Sequence, residues 1–301
     1  MYPYWKERLS KLTFFMKTNL RIFFKGMIMG IAEIIPGVSG GTIALILGIY
    51  ERLIRAIANI NIVFVNQVLK GNLNEAWKYS DASFLFFLVL GMLVAAFSFS
   101  SAIIFLSENF PFFLKSFFSG LLLTSLFFKP LKPEKIHRRF LIGFLLASLI
   151  VGFAWSLPPN ELKEISLIYF FFGGFVAVCA FILPGISGSF ILLLLGLYQA
   201  VILSLKELDL LVLSSLFSGC LLGLLLFIRI VKKAYENYPE YLMGFFYSLV
   251  LLSIPLLWKS GAWIISLPKY QLGYLEALFG LGLGVFFIFL LQKISSTFQD
   301  I

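Results

Sequence analysis

Two short stretches of this sequence combine a Pro-Gly pair with hydroxyl side chains inside otherwise apolar segments. The first reads Glu33-Ile-Ile-Pro-Gly-Val-Ser-Gly-Gly-Thr42, and the second reads Leu183-Pro-Gly-Ile-Ser-Gly-Ser189. Proline stops an incoming helix, and a helix that begins behind it presents free N–H groups and the positive end of its dipole. We expect Ser39 or Thr42 to cap this new helix. These residue types in this order predict an anion site, suited to a phosphate or a carboxylate.

We expect the two motifs to face each other and to form one donor-rich pocket. The candidate substrate-binding residues are Glu33, Pro36, Gly37, Ser39, Gly40, Gly41, Thr42, Arg52, Lys115, Pro184, Gly185, Ser187, Gly188 and Ser189. Pro-Gly pairs and small residues also allow kinks and close packing of membrane helices. That alternative explains a single motif, but it explains two matching copies less well.

Three charged candidates each admit more than one interpretation. Glu33 is the only acid in the first motif segment, and Phe181 takes its place in the second. An acid at membrane depth costs about 2.5–3.5 kcal/mol or more, so Glu33 is a candidate for proton coupling, for pairing with an arginine or for capping local N–H groups. The alternative is an interfacial glutamate close to water. Arg52 could steer an anionic headgroup or, like Arg55, anchor a cytoplasmic loop. Lys115 could meet a phosphate or extend its amine to the interface.

The composition defines the class of protein. Of the 301 residues 60% are hydrophobic and 13% are charged, and the mean hydropathy is +0.97, whereas a soluble domain carries about 25% charge. The sequence therefore predicts an all-α polytopic membrane protein. A net charge of +9 fits basic cytoplasmic loops and does not require a nucleic-acid partner.

The chain offers few residues for covalent or metal chemistry. Cys179 and Cys220 lie in apolar sequence without partner spacing, and His137 is the only histidine. We therefore expect no disulfide, no metal and no cofactor, and we expect that the protein is not an enzyme. A membrane lipid phosphatase stays a minor alternative.

The motif is part of a longer internal repeat. Pro36 and Pro184 correspond at an offset of 148 residues, and the segments 107–118 and 235–246 correspond at an offset of 128. Each half then contains one motif segment followed by three apolar segments. Because three is odd, the halves should be inverted relative to each other, an architecture typical of secondary transporters.

The expected organisation is a single integral membrane domain made of two such halves. Its parts are an interfacial amphipathic helix over 1–25, repeat 1 over 26–156 (re-entrant hairpin 26–58, spans 84–106, 112–128 and 140–155) and repeat 2 over 165–292 (hairpin 165–205, spans 210–228, 241–258 and 272–291). We expect the protein to lie in the plasma membrane. If each motif segment is a hairpin, the basic loops and both termini face the cytoplasm. Motif segments that cross the membrane twice would give the same sidedness.

The motifs also carry a resemblance to a known family. Glu33 through Thr42, followed by Leu-Gly-Ile-Tyr-Glu51, resembles the first signature of the membrane family called domain of unknown function 368, and the second motif with Leu-Gly-Leu-Tyr198 resembles its second signature. The resemblance covers essentially the whole chain. It implies a polyprenyl-phosphate transporter that returns undecaprenyl phosphate to the inner leaflet for envelope polymer synthesis.

The resemblance also implies which residues bind the headgroup. By position these are Glu33, Ser39, Gly40, Thr42, Ser187 and Ser189. The second copy departs from the first, because Ser189 and Phe190 stand where the first has Gly41 and Thr42. Coupling to protons or sodium and the oligomeric state are left open. The alternative function is a carrier or channel for a small soluble anion.

Overall fold

The structure is a computed structural model that describes residues 2–34, 38–156, 166–259 and 270–297. Every regular element in these ranges is a helix. The helices are α1 (Tyr2–Ile34), α2 (Gly40–Ile46), α3 (Tyr50–Ala58), α4 (Ile62–Leu69), α5 (Leu73–Tyr79), α6 (Ala82–Asn109), α7 (Pro111–Ser125), α8 (Arg138–Ser156), α9 (Leu167–Ile182), α10 (Gly188–Leu194), α11 (Tyr198–Glu207), α12 (Leu210–Asn237), α13 (Pro239–Lys259) and α14 (Tyr270–Thr297).

The bounds of these helices repeat at the offsets seen in the sequence. The short helices α2 and α10, and the starts of α3 and α11, are separated by 148 residues, whereas α6 and α12 are separated by 128. Gly48 and Gly196 follow the two short helices with φ of 68° and 70°. This left-handed conformation favours glycine, so the same turn is built twice from the same residue type.

Helices α1 and α6 pack side by side in the same direction. A Cβ at Gly26 would overlap the carbonyl oxygen of Leu88, and one at Gly30 would lie 2.5 Å from that of Met92. The contacts advance by four residues along both helices, so the helices are parallel. The absence of side chains at these glycines lets the two backbones approach closely.

Helices α9 and α12 repeat this arrangement in the second half. Gly219 abuts the backbone of Phe171, and Gly223 abuts that of Phe175. Again the contacts advance together, so α9 and α12 are parallel. Gly174 of α9 packs on the backbone of Leu216 in α12. It corresponds to Gly26 of α1 at the motif offset of 148 residues.

The remaining long helices pair across the two halves. Gly280 and Gly284 of α14 abut the backbones of Phe113 and Phe117 in α7, so α7 and α14 are parallel. In the other pair, Gly143 of α8 abuts Tyr241 of α13. The hydroxyls of Ser148 and Ser248 lie 2.9 Å apart further along the same two helices, so α8 and α13 are also parallel.

The all-helical, multi-pass prediction is confirmed at the level of composition and length. Among the described residues, three helices are long and apolar enough to cross a membrane, and there are up to five such spans if each of two bent helix pairs counts as one. The three are Ala82–Asn109, Leu210–Asn237 and Gly273–Leu291. Helix α7, which overlaps the predicted span 112–128, has 15 residues, about 22 Å against a hydrocarbon core of about 30 Å. Six spans stay a prediction.

Two predicted boundaries differ from the helix ends. Helix α1 is continuous from Tyr2 to Ile34, so the predicted boundary at residue 25 does not interrupt it. The change from basic to apolar sequence there alters the environment that the helix prefers, but it breaks no backbone hydrogen bond. The first predicted hairpin, 26–58, ends at the same residue as α3, whereas the second, 165–205, ends two residues before α11, which ends at Glu207.

The short helix of the first motif lies within the largest hydrophobic core found among the described residues. All seven residues of α2 are buried. Tyr50, which begins α3, is 2% exposed and packs edge-on against Phe246 of α13, with ring centroids 5.3 Å apart. The first motif is therefore held by helices of both halves.

Candidate functional site

The carboxylate of Glu33 lies at the start of the helix that follows the first break. The backbone N–H of Gly40, the first residue of α2, donates to Glu33 Oε1 at 2.5 Å. This N–H has no partner inside the helix, and an anion at a helix N-terminus interacts favourably with the dipole. The Glu33 carboxylate thus binds one of the helix N–H groups that the sequence predicts to bind a phosphate.

Helix α2 runs back along α1. Glu33 and Gly40 meet at one end of this pair. At the other end, Lys25 Nζ donates to the carbonyl oxygen of Leu47 at 2.9 Å. A cation at the C-terminal end of a helix is also favourable, so α1 supplies a partner of suitable charge at each end of α2.

The expectation that a hydroxyl caps α2 is wrong for Ser39. Ser39 occupies the N-cap position, but its side chain makes no capping hydrogen bond. Its Oγ instead donates to the carbonyl oxygen of Leu183 at 3.2 Å. The carboxylate of Glu33 bonds to the helix start, which leaves the hydroxyl available to the second motif.

The two motifs contact each other directly, as the sequence predicted. Besides the bond from Ser39 to Leu183, the backbone N–H of Gly185 donates to Thr42 Oγ1 at 2.7 Å. Gly185 has φ of 89°, and a Cβ there would collide with the backbone of Leu249 in α13. In this conformation the hydroxyls of the first motif therefore bind the backbone of the second. We call this contact region the motif junction.

Tyr50 belongs to the motif junction, although the candidate list omitted it. Its hydroxyl donates to the carbonyl oxygen of Ile182, the last residue of α9, at 3.1 Å. The signal in the sequence was its match with Tyr198 in the repeat. Gly41 also approaches α9, because a Cβ there would lie 3.0 Å from the same carbonyl oxygen.

The second motif is built differently from the first. Phe181 occupies the position of Glu33, and the hydroxyls of Ser187 and Ser189 lie 2.7 Å apart. Ser187 precedes α10 and makes no side-chain cap. Gly188, the first residue of α10, packs closely on the carbonyl oxygen of Ala177. The chemical inequality of the two motifs, which the sequence predicted, is visible in these different partners.

Other candidate residues lie elsewhere or outside the described residues. Arg52 forms an exposed ion pair with Asp81 at 2.6 Å, and its guanidinium lies 4.4 Å from the ring centroid of Phe84. Lys115 is 4% exposed in α7, with its amine 5.8 Å from the ring centroid of Trp258. Pro36 and Gly37 lie outside the described residues, whereas Pro184 is described and buried. Within the described ranges, no group of three His, Cys, Asp or Glu side chains is placed to hold a metal ion.

An all-helical membrane protein whose broken helices meet in its core, with charged and hydroxyl groups at the breaks, has the features of a membrane carrier. The chain belongs to the undecaprenyl phosphate translocase-like family, whose profile matches residues 29–271. This confirms the resemblance seen in the motifs.

Two curated relatives carry the same name. A polyprenyl-phosphate transporter of Vibrio cholerae is 35% identical over 262 residues, which cover 85% of this chain and 84% of that protein. A polyprenyl-phosphate transporter of Staphylococcus aureus is 28% identical over 276 residues, 84% of this chain and 93% of that protein. No solved structure gave a significant match.

Proposed function

We propose that this protein transports polyprenyl phosphate, such as undecaprenyl phosphate, across the plasma membrane. The observation that carries the proposal is the motif junction, where two broken helices bring backbone donors and hydroxyls together in a chain of this family. The phosphate interacts with these donors while the polyprenyl tail stays in lipid. Both relatives are named as transporters of this substrate class, so the reaction is movement and not covalent chemistry.

Each motif segment is a re-entrant hairpin. Because α1 and α6 are parallel, the chain between them must return to the side from which α1 started. The antiparallel packing of α2 on α1 begins that return. Because α9 and α12 are also parallel, the chain between them must likewise return to the side from which α9 started.

The two halves are inverted relative to each other. Single residues, Phe110 and Tyr238, separate α6 from α7 and α12 from α13, and such short connections reverse the chain. If α8 runs opposite to α7, it runs in the same direction as α6. Helix α13, which is parallel to α8, then also runs in the direction of α6. Helix α12, the counterpart of α6, then runs in the opposite direction, as inverted repeats require.

The charges orient this architecture in the membrane. The loop between α7 and α8 carries exposed Lys132 and Lys135, and α8 begins with exposed Arg138 and Arg139. The positive-inside rule predicts that such a basic connection faces the cytoplasm. Both chain termini then face the cytoplasm as well. Alternating access arises when one half moves against the other around the motif junction.

Glu33 couples substrate binding to a proton or a sodium ion. Its carboxylate accepts from Gly40, so a phosphate that binds the same N–H must displace it. Protonation or ion binding removes the negative charge that would repel the phosphate. The hydroxyls of Ser39 and Thr42, which bind the opposite motif in this conformation, become available when the junction opens.

A leaflet-resolved assay tests the transport proposal. Purified protein is reconstituted in liposomes with a labelled polyprenyl phosphate in one leaflet, and its appearance in the other leaflet is measured. We expect movement that depends on protein and on Ser39 and Thr42. Uptake of a small labelled anion without lipid movement would support a soluble-anion carrier instead, and phosphate release would indicate an enzyme.

A further inference from the structure

The connection between α3 and α6 carries a pair of short helices that has no counterpart in the second half of the protein. Helix α3 ends at Ala58 and α6 begins at Ala82, whereas Leu208 and Asp209 alone separate α11 from α12. Helices α4 and α5 fill the longer connection and pack on each other. We call these two helices, with the turn at Gly71 between them, the α4–α5 unit.

Large apolar side chains of the α4–α5 unit are exposed. They are Ile62, Val63, Val65, Val68 and Leu69 of α4 and Leu73 and Trp77 of α5. Within α4 the less exposed side chains are Phe64 and Gln67, which lie three residues apart and therefore on one side of the helix. The remaining, outward surface of α4 is thus almost entirely apolar.

Helix α5 has three chemically different sides. Leu73 and Trp77 are four residues apart and share an apolar side. A second side carries exposed polar residues, among them Asn74 and Lys78. On the third side Ala76 is buried against the protein. An exposed apolar side beside a polar one, with a lysine and a tryptophan, is typical of helices that lie in a membrane interface.

Hydrogen bonds hold the base of the unit close to α3 and to the start of α6. The side-chain amide of Asn59 donates to the carbonyl oxygen of Tyr79 at 2.8 Å, and that of Asn61 donates to the Tyr79 hydroxyl oxygen at 3.0 Å. Trp77 Nε1 donates to Ser83 Oγ at 2.8 Å. Helix α6 is one of the helices long and apolar enough to cross a membrane. The unit therefore lies at the level where this span enters the bilayer.

The lipid-facing surface of α6 begins beside the unit. Phe86, Val89, Leu90 and Leu93 are exposed, and their spacing places them in one stripe along the helix. The indole of Trp77 lies next to the start of this stripe, at the depth where tryptophan is enriched in membrane proteins. Exposed Lys70 and Lys78 can interact with anionic headgroups. These features favour lipid as the occupant of the apolar surface.

The unit is too short and too polar at its tip to enter the bilayer end-on. Helix α4 has 8 residues, about 12 Å, which is less than half of a hydrocarbon core of about 30 Å. The turn at its far end consists of exposed Lys70, Gly71 and Asn72, and a charged lysine is costly inside hydrocarbon. A unit that lies flat on the membrane keeps this turn at the headgroups.

We infer that the α4–α5 unit is an interfacial anchor that binds the bilayer surface. The exposed side chains of α4 lie among the upper parts of the acyl chains together with Leu73 and Trp77, while Lys70 and Lys78 lie at the headgroups. Because Asn59 and Asn61 bind the far end of the unit, the anchor holds the base of the first re-entrant hairpin at the membrane surface. The second hairpin has no such anchor. In the proposed orientation the leaflet is the cytoplasmic one, and only this choice of leaflet rests on the proposed function.

The test is the reaction rate of single cysteines with a charged maleimide in the full-length protein, in nanodiscs that hold one copy each. The test positions are Val65→Cys and Leu73→Cys, and Asn74→Cys on the polar side of α5 is the matched control. Cys179 and Cys220 are replaced by serine in all three. The native side chains at the test positions are 43% and 63% exposed within the chain, so any protection of these cysteines comes from outside it.

We expect both test cysteines to react more slowly than Asn74→Cys, because neither a charged reagent nor the reactive thiolate enters hydrocarbon readily. The difference should be about 10-fold or more, which corresponds to about 1.4 kcal/mol. After denaturation in sodium dodecyl sulfate the three cysteines should react at the same rate.

Reaction of both test cysteines at the rate of Asn74→Cys places the apolar surface in water and overturns the inference. Equal protection of all three positions also overturns it, because an interfacial arrangement requires one side in contact with water. Protection in native membranes but not in nanodiscs assigns the surface to a protein partner and overturns it as well.

A second measurement needs no substitution and decides the question if the cysteine-free background does not fold. Wild-type protein in nanodiscs is photolabelled by a phospholipid that carries a diazirine on its acyl chain, and the adducts are located by mass spectrometry. We expect adducts on α4 and on Leu73 or Trp77. Adducts on α6 without any on the α4–α5 unit overturn the anchor.

The leaflet-resolved transport assay of the wild type is run in parallel. Transport by a protein whose test cysteines are unprotected contradicts the anchor alone. Protected test cysteines in a protein that moves no polyprenyl phosphate contradict the proposed function alone.

Discussion

Replacement of Glu33 separates two roles of its carboxylate, holding the loop and exchanging a proton. Gly40 N–H donates to this carboxylate, and a hydrogen bond to a charged group contributes about 1.5–3 kcal/mol, against about 0.5–1.5 for a neutral one. Glu33→Gln keeps an acceptor and should lower the free energy of unfolding by about 1 kcal/mol. Glu33→Ala removes the acceptor from a buried N–H and should cost about 1–3 kcal/mol.

The transport rate then distinguishes the roles. If Glu33 exchanges a proton, wild-type transport depends on pH, while Glu33→Gln folds nearly as well but transports slowly and with a flatter pH profile. The assay is leaflet-resolved transport in liposomes over a series of pH values, with thermal unfolding of the same preparations. Glu75→Gln, an exposed acid of α5, is the matched control.

A wild-type rate and pH profile in Glu33→Gln would refute the coupling role and leave only the structural one. A Glu33→Ala variant as stable as the wild type would refute the hydrogen-bond argument itself. The two outcomes are independent, so each part of the reasoning can fail alone.

Further substitutions test the packing around the site. Thr42→Val leaves the N–H of Gly185 without its acceptor and should cost about 1–3 kcal/mol in thermal unfolding, whereas Thr42→Ser should be close to the wild type. Gly219→Leu should separate α12 from α9 and prevent stable folding, while Gly152→Leu, which has open space around it, should fold normally in size-exclusion chromatography. Arg52→Gln removes an exposed ion pair with Asp81 and the contact with the Phe84 ring, each worth about 1 kcal/mol or less. The free energy of unfolding should therefore fall by less than about 2 kcal/mol; a larger loss would mean that these contacts are structurally essential.

Much of the fold followed from local sequence. The breaks before α2 and α10 were predicted because proline stops a helix regardless of its surroundings. The turns at Gly48 and Gly196, which end the short helices, were not predicted, although glycine favours their conformation. The lengths of the spans were less predictable. Helix α7, with 15 residues, shows that an apolar run of sequence does not fix where a helix ends, since that depends on neighbouring helices and turns.

The sequence alone determined the class of protein and the two helix breaks, because composition and backbone propensity are local properties; it also predicted that the two motifs would face each other. Only the tertiary structure decided what those residues bind. Ser39 and Thr42 bond to residues 144 and 143 positions away, and Glu33, not a hydroxyl, occupies the start of α2. Such partners depend on how helices from two halves pack, and no local pattern contains that information.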